Sequence, residues 1–132
     1  DITKEVIETI ANEKKILKEL HLPVQSGSNA ILKAMNRRYT VENYLEKVDY
    51  LRKLIPEIRL TTDIIVGFPG ETEEDFNLTC ELVKKVKYAG IFAFMYSPRP
   101  NTPASKMENQ VPDAVKNYRV NYLLNLQKQF NR

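Results

Sequence analysis

The sequence predicts an α/β fold, a partial TIM-like barrel in which parallel strands are covered by helices. Three observations lead there. Helical and extended segments alternate along the 132 residues. The extended segments are apolar almost throughout, as strands of a parallel sheet are. Only three such segments occur, too few to close a barrel or to balance a doubly wound sheet. The chain opens on a helix, as though earlier strands lay upstream, so residues 1–132 read as one carboxyl-terminal portion of a longer barrel domain.

TKEVIETIAN (3–12) spaces Val6, Ile7 and Ile10 along one side of a helix with Thr3 as N-cap, and the pattern continues brokenly through 14–17. LHLPV (20–24) is a short strand. Ser28 is placed to cap a short helix over 29–36, and Thr40 a longer one over 41–54 that Pro56 stops. Its apolar stripe is Tyr44, Leu45, Val48, Leu51 and Ile55. IRLTTDIIVG (58–67) is β-branched and reads as a strand buried on both faces. Thr72 caps a helix over 73–88 that points Phe76, Cys80, Val83 and Val86 inward, with Gly90 placed to end it. IFAFMY (91–96) is the third strand. After the loop SPRPNTP, a last helix starts near Pro112 with the stripe Val115, Tyr118, Tyr122, Leu126 and Phe130.

With 42% hydrophobic and 28% charged residues, the chain has enough apolar surface for one core and is not disordered in composition. No apolar run approaches the roughly 20 residues of a membrane span, and no secretory signal is evident. A net charge of +3 permits contact with nucleic acid without arguing for it. The single cysteine, Cys80, excludes an internal disulfide framework and any multi-thiolate metal site built from this chain alone. A cytoplasmic setting fits this cysteine usage.

Ligands of parallel α/β folds meet the carboxyl ends of the strands. Here those ends carry QSGS, then Asp63 with GFPGET, then residues 97–102. A crossover helix must run the height of the sheet, and 41–54 suffices at roughly 1.5 Å per residue. The shorter helix over 29–36 is surplus to that crossover. Laid across the carboxyl face, it holds Arg37 beside Gln25, with Gly27 supplying a sharp turn and Ser28 a compact cap. A guanidinium so placed suits a carboxylate in bidentate geometry.

Asp63 interrupts an apolar strand, and a buried carboxylate needs donors. Two readings stand: a ligand supplies them, or the residue ties loops together through a buried hydrogen bond. Ile65, on the same strand face, offers an apolar surface to a ligand or is plain core. GFPGET resembles a phosphate cradle but lacks the lysine and spacing of a P-loop, so Gly67, Pro69 and Gly70 shape a turn and Glu71 favours the helix dipole. Cys80 reads as core filler, and His21, at a strand start, as structural. Lys33, Arg37, Arg38 and Arg99 are candidates to face RNA phosphates, but four basic residues scattered over loops carry little weight.

Three stretches, LHLPVQSGSNAILKAMNRRYT, TTDIIVGFPGETEEDF and YSPRPNTPASKM, resemble the radical S-adenosylmethionine methylthiotransferases over nearly the whole chain. The likeness is strongest to the MiaB-type tRNA branch, which installs a methylthio group on C2 of a modified adenosine beside the anticodon. The QSGS form and the serine of YSPRP suit that branch. RPNTPA is shared with the enzymes acting on threonylcarbamoyladenosine and on a ribosomal-protein aspartate. The resemblance implies the carboxyl-terminal half of a radical S-adenosylmethionine barrel. It also implies a [4Fe–4S] cluster on a CxxxCxxC loop that reduces S-adenosylmethionine to a 5′-deoxyadenosyl radical, a second cluster that delivers sulfur, and a second S-adenosylmethionine that delivers methyl. CxxxCxxC is not in this sequence, nor are the family's amino-terminal cluster domain and TRAM domain. The cluster ligands are thus expected elsewhere, and the piece alone is expected to be inactive.

Carried over residue by residue, the resemblance makes Gln25 and Ser26 polar contacts to S-adenosylmethionine at the strand end, and Arg37 the partner of its carboxylate. It places Asp63 near the ribose and amino acid, Ile65 as an apolar wall against adenine, and the backbone around Ser97 at the adenine edge. Arg99 falls on the substrate side. It implies tRNA as partner and assigns no catalytic residue and no metal ligand to these residues. Two rival readings are a non-catalytic partial barrel that grips RNA or a partner, and a non-radical barrel enzyme of the aldolase kind. The second requires a strand lysine for a Schiff base, and LHLPV, IRLTTDIIVG and IFAFMY contain none.

Overall fold

The computed structural model describes residues 3–12, 19–98 and 100–129. The expected continuation at 14–17, Arg99 and Phe130 lie outside the described residues. In chain order the elements are α1 (Lys4–Asn12), β1 (Glu19–His21), α2 (Asn29–Ala34), α3 (Val41–Leu54), β2 (Arg59–Val66), α4 (Glu73–Val86), β3 (Gly90–Met95), a 3-10 turn (Ala104–Lys106) and α5 (Asp113–Lys128). The strands form one parallel sheet in the order β1-β2-β3. An open parallel sheet backed by helices is part of an α/β barrel, as the sequence predicts.

The helix starts follow from local chemistry. Thr40 accepts the Asn43 amide hydrogen while the Asn43 side chain accepts that of Thr40, and Thr72 with Asp75 repeats the box on α4. Ser28 caps α2 by accepting from Ile31. The end of α4 differs from expectation. It closes at Val86 with Lys87 in the left-handed region (φ 56°), and Gly90 is the first residue of β3.

Period-two alternation divides the sheet. Leu60, Ile64 and Val66 of β2 enter the main core with Val48 and Leu51 of α3, Val83 of α4 and Leu123 of α5. Thr61, Asp63 and Ile65 share the opposite face with Phe92 and Phe94, which register against Asp63 and Ile65. Phe92 and Phe94 are 55% and 54% exposed, so the strands are buried on one face and open on the other, contrary to the expectation of burial on both. This open face, continuing into the carboxyl-end loops, is where a ligand has room.

Three further expectations are corrected. β1 stops at His21, because Pro23 has no amide hydrogen and that of Val24 goes to Thr62 Oγ1 (2.9 Å); pairing resumes as a single bridge, Gln25 to Ile64. On α1, Ile7 is buried while Val6 is 46% exposed. On α5 the inward residues are Lys116, Arg119, Leu123, Leu126 and Gln127, whereas Tyr118 and Tyr122 lie outside. Each polar tip finds an acceptor. Lys116 Nζ donates to Tyr96 O (2.9 Å), Arg119 to Glu71 (2.7 Å) and Gln127 Nε2 to Tyr88 O (2.7 Å). Long stems thus pack while their donor atoms stay bonded. Among the described residues, no helix is long and apolar enough to cross a membrane.

Candidate functional site

Gln25 is the centre of the carboxyl face. Its amide hydrogen reaches Asp63 O (2.9 Å) and its carbonyl accepts from Ile65 (3.0 Å), which plants it on the end of β2. The residue sits at φ 74°, a left-handed conformation costing a non-glycine residue roughly 1–2 kcal/mol. Its Oε1 is buried and has no hydrogen-bond partner among the described residues. A strained backbone and an orphaned amide oxygen at a strand end are features of a site built for a ligand.

Arg37 arrives beside Gln25 as the surplus-helix argument requires. α2 ends at Ala34 with Met35 as C-cap, Asn36 takes φ 64°, and the Arg37 amide caps Leu32 O (2.8 Å). Gln25 and Arg37 then line one cleft of about 590 Å³, with Arg38, Tyr39, Leu22 and Pro23 among its walls. Tyr39 donates to Val24 O (2.9 Å); burial pushes its phenol up, against the pull of the Arg37 charge. Below the cleft, Tyr88 donates to Tyr44 (2.8 Å) and Tyr44 to Leu22 O (2.7 Å). Burial pushes the Tyr44 phenol up to about 12, so both hydroxyls stay protonated as donors.

Ile65 and Ser97 line a second recess of about 510 Å³ with Phe94, Met95 and Tyr96. Its far wall is held by α5. Lys116 grips the Tyr96 carbonyl and lies over the Tyr96 ring (5.4 Å), while its stem fills the space beside Gly67 (φ 77°), where a Cβ would stand 2.3 Å from Lys116 Cγ. Gln25 of the first recess and Ile65 of the second are joined by a backbone hydrogen bond (3.0 Å). Asp63 lies in neither. It stands one step down the sheet, with Oδ1 3.2 Å from His21 Nε2.

Ser26 is fully buried. Its hydroxyl accepts from the Ser28 amide (3.1 Å) and lies 3.5 Å from Thr79 Oγ1, so it braces the loop and offers nothing to the open face. Gly27 is required by contact and not by a turn. Its amide reaches Thr79 Oγ1 (2.9 Å), and a Cβ would stand 2.5 Å from Thr79 Cα. Glu71, read as a helix-dipole residue, is instead buried against Arg119 and accepts the Gly67 amide hydrogen (2.8 Å). Burial pushes its carboxyl up, opposed by that amide and by Arg119.

Two contributors were missed. His21 reaches the working face because register sets it against Thr61, one step from Asp63; Gln25 registers against Ile64, so strand parity does not carry from His21 to Gln25. Lys116 carries no sequence signal, since a lysine on a helix reads as solvent-facing.

Residues 1–83 match the family model described as the Radical SAM superfamily. The chain is 56% identical over 127 residues to a protein of Carboxydothermus hydrogenoformans named tRNA-2-methylthio-N(6)-dimethylallyladenosine synthase, covering 96% of this chain and 29% of that one. It is 51% identical over 128 residues to the protein of that name in Aquifex aeolicus, covering 97% and 29%. It thus spans under a third of the length of these relatives. A solved structure of Escherichia coli coproporphyrinogen III oxidase (HemN), titled a radical SAM enzyme, superposes with a TM-score of 0.76 over 98% of this chain at 19% identity, a likeness of fold.

Proposed function

The chain belongs to the radical SAM superfamily, and on that premise we propose that it is the S-adenosylmethionine-binding, carboxyl-terminal part of the barrel of a tRNA methylthiotransferase. The observation that carries the reading is identity of 51–56% over nearly the whole chain to relatives of that name. The site supports it through Gln25 and Arg37, which line one cleft, a polar amide and a guanidinium of the kind an amino-acid ligand requires.

Bound S-adenosylmethionine supplies the radical-generating and methyl-donating chemistry. This chain's residues hold and orient it. Arg37 pairs with the carboxylate in two-pronged fashion, and Gln25 Oε1 accepts a hydrogen bond from the ammonium or a hydroxyl. Asp63 accepts from ribose hydroxyls or the ammonium. Ile65, with Phe94 beside it, walls the adenine, and backbone near Ser97 meets the base edge. Ser26 braces the loop behind them. The family resemblance assigns Arg99 to the substrate side, and the substrate is a tRNA modified beside its anticodon in the cytoplasm.

The residues do not fit an iron–sulfur cluster. Cys80 is the single cysteine, it is buried, and burial pushes its thiol up to about 11. No step in this chain is therefore routed through a cluster, and its thiolates come from other residues of the longer protein.

Nucleoside mass spectrometry tests the activity: tRNA from a strain lacking the gene should lose the 2-methylthio group on its modified adenosine, and an unchanged nucleoside profile rejects the assignment. Calorimetry on the full-length protein tests the site. Arg37→Ala should weaken S-adenosylmethionine binding by roughly 2 kcal/mol or more, as loss of a charge-assisted pair does. Unaltered affinity removes Arg37.

A further inference from the structure

We propose that His21 is a positioning residue for the S-adenosylmethionine site, its imidazole orienting the Asp63 carboxylate; this rests on the reading that Asp63 touches the cofactor. Three elements of geometry carry it. His21 Nδ1 lies 2.8 Å from Thr61 Oγ1, and Nε2 lies 3.2 Å from Asp63 Oδ1. His21 and Thr61 are direct partners across β1 and β2, and Asp63 follows Thr61 on the same face, so the sheet register builds the chain Thr61–His21–Asp63. The Phe92 ring meets the imidazole edge-on at 5.8 Å and 68°, confining its plane.

The roles follow from hydrogen-bond inventory. His21 Nε2 faces Asp63 Oδ1 as a close polar contact at 3.2 Å, and Nδ1 is hydrogen-bonded to the Thr61 hydroxyl with a direction set by the imidazole tautomer. Among the described residues, the imidazole approaches the Asp63 side chain at Oδ1. Oδ2 keeps its acceptor capacity for an ammonium or a ribose hydroxyl, and the carboxylate's rotation is restrained before the ligand arrives. Pre-orientation of this kind raises affinity by reducing what binding must order.

The test uses the full-length, cluster-loaded protein and measures S-adenosylmethionine affinity by calorimetry, with melting temperature alongside. His21→Ala should weaken binding roughly tenfold, within the range of coupled neighbours. His21→Gln, which places an N–H near the Nε2 position, should recover most of it. In an Asp63→Asn background, where the carboxylate is gone, His21→Ala should add little. Equal losses with Asp63 and with Asn at that position overturn the proposal, because His21 then acts independently of the carboxylate. Failure of His21→Gln to recover affinity at an unchanged melting temperature also overturns it. If Asp63→Asn binds as tightly as the parent while Arg37→Ala does not, Asp63 itself leaves the site and the inference falls with it; the proposed activity, read from tRNA nucleosides, is untouched by that result.

Discussion

Arg119 Nη1 lies 2.7 Å from Glu71 Oε1, both side chains buried, and the same Nη1 reaches the Glu71 carbonyl at 3.3 Å. The pair joins α5 to the loop after β2, directly beneath the carboxyl face. Removing one member of a buried pair strands the other. Arg119→Met should therefore cost about 3–5 kcal/mol in denaturant titration of the full-length protein. Adding Glu71→Gln should return part of that, since the amide oxygen still accepts the Gly67 amide hydrogen without a charge. A loss below about 1 kcal/mol for Arg119→Met would show the pair to be solvated.

That pair also marks where sequence reading stopped. The alternation of elements, the caps at Ser28, Thr40 and Thr72, and the inward stripes of α3 and α4 were legible because apolar periodicity and capping are local signals. The inward face of α5 was not. Its stripe was sought among Tyr118 and Tyr122, while the buried positions Lys116, Arg119 and Gln127 reveal themselves only through acceptors far along the chain. The nearness of Arg37 to Gln25 followed from counting helix length against sheet height. Asp63's contact with His21 requires the register of β1 on β2, which periodicity alone does not supply.

Gly27 separates contact from conformation. An added Cβ would stand 2.5 Å from Thr79 Cα and 2.7 Å from Leu78 O, both backbone atoms. Gly27→Ala must push α4 away and should cost at least about 1–3 kcal/mol. At Gly90 the nearest atom to an added Cβ is Thr61 Cγ2 at 3.4 Å, so Gly90→Ala should change stability little. Thermal melts of the two variants check the contrast; equal losses refute the close-approach argument.

Asp75 gives the fold an acid-sensitive joint. Burial works against its charge, but the Thr72 amide, the Ser28 hydroxyl and the Thr72 hydroxyl together hold its carboxyl below the ordinary 3.8. A carboxylate depressed in the folded state stabilises above its unfolded value and loses that contribution as pH falls through the folded one. Stability should thus decline on acidification below pH 3.8, and Asp75→Asn should flatten that limb of the profile. Parallel acid limbs for variant and parent would exclude this linkage.

The Tyr88–Tyr44–Leu22 chain predicts an ordered pair of losses. Tyr88→Phe removes one donor and leaves Tyr44 bonded to Leu22 O, at a cost of about 1 kcal/mol. Tyr44→Phe deprives both the Tyr88 hydroxyl and the Leu22 carbonyl of their partner and should cost more, about 1–3 kcal/mol. The double variant should fall short of the sum. Strict additivity in urea titration would show the two hydroxyls to be uncoupled.

Gln25 opposes stability to binding within one residue. Its φ of 74° is a conformation that glycine adopts freely, and its Oε1 is buried without a partner among the described residues. Gln25→Gly therefore relieves backbone strain of roughly 1–2 kcal/mol and removes an unsatisfied acceptor, set against lost packing and a more flexible unfolded chain. Unlike most glycine substitutions of half-buried residues, it should leave the melting temperature unchanged or raise it. If the amide holds S-adenosylmethionine, affinity in calorimetry should drop by an order of magnitude in the same variant. Gln25→Ala keeps the left-handed strain while losing the amide, and should show the drop in affinity with a lower melting temperature than Gln25→Gly. A glycine variant that melts several degrees lower would mean that the conformation is stabilised by the side chain itself, and the residue would then be a packing element of the β1–α2 loop and not a contact held ready for ligand.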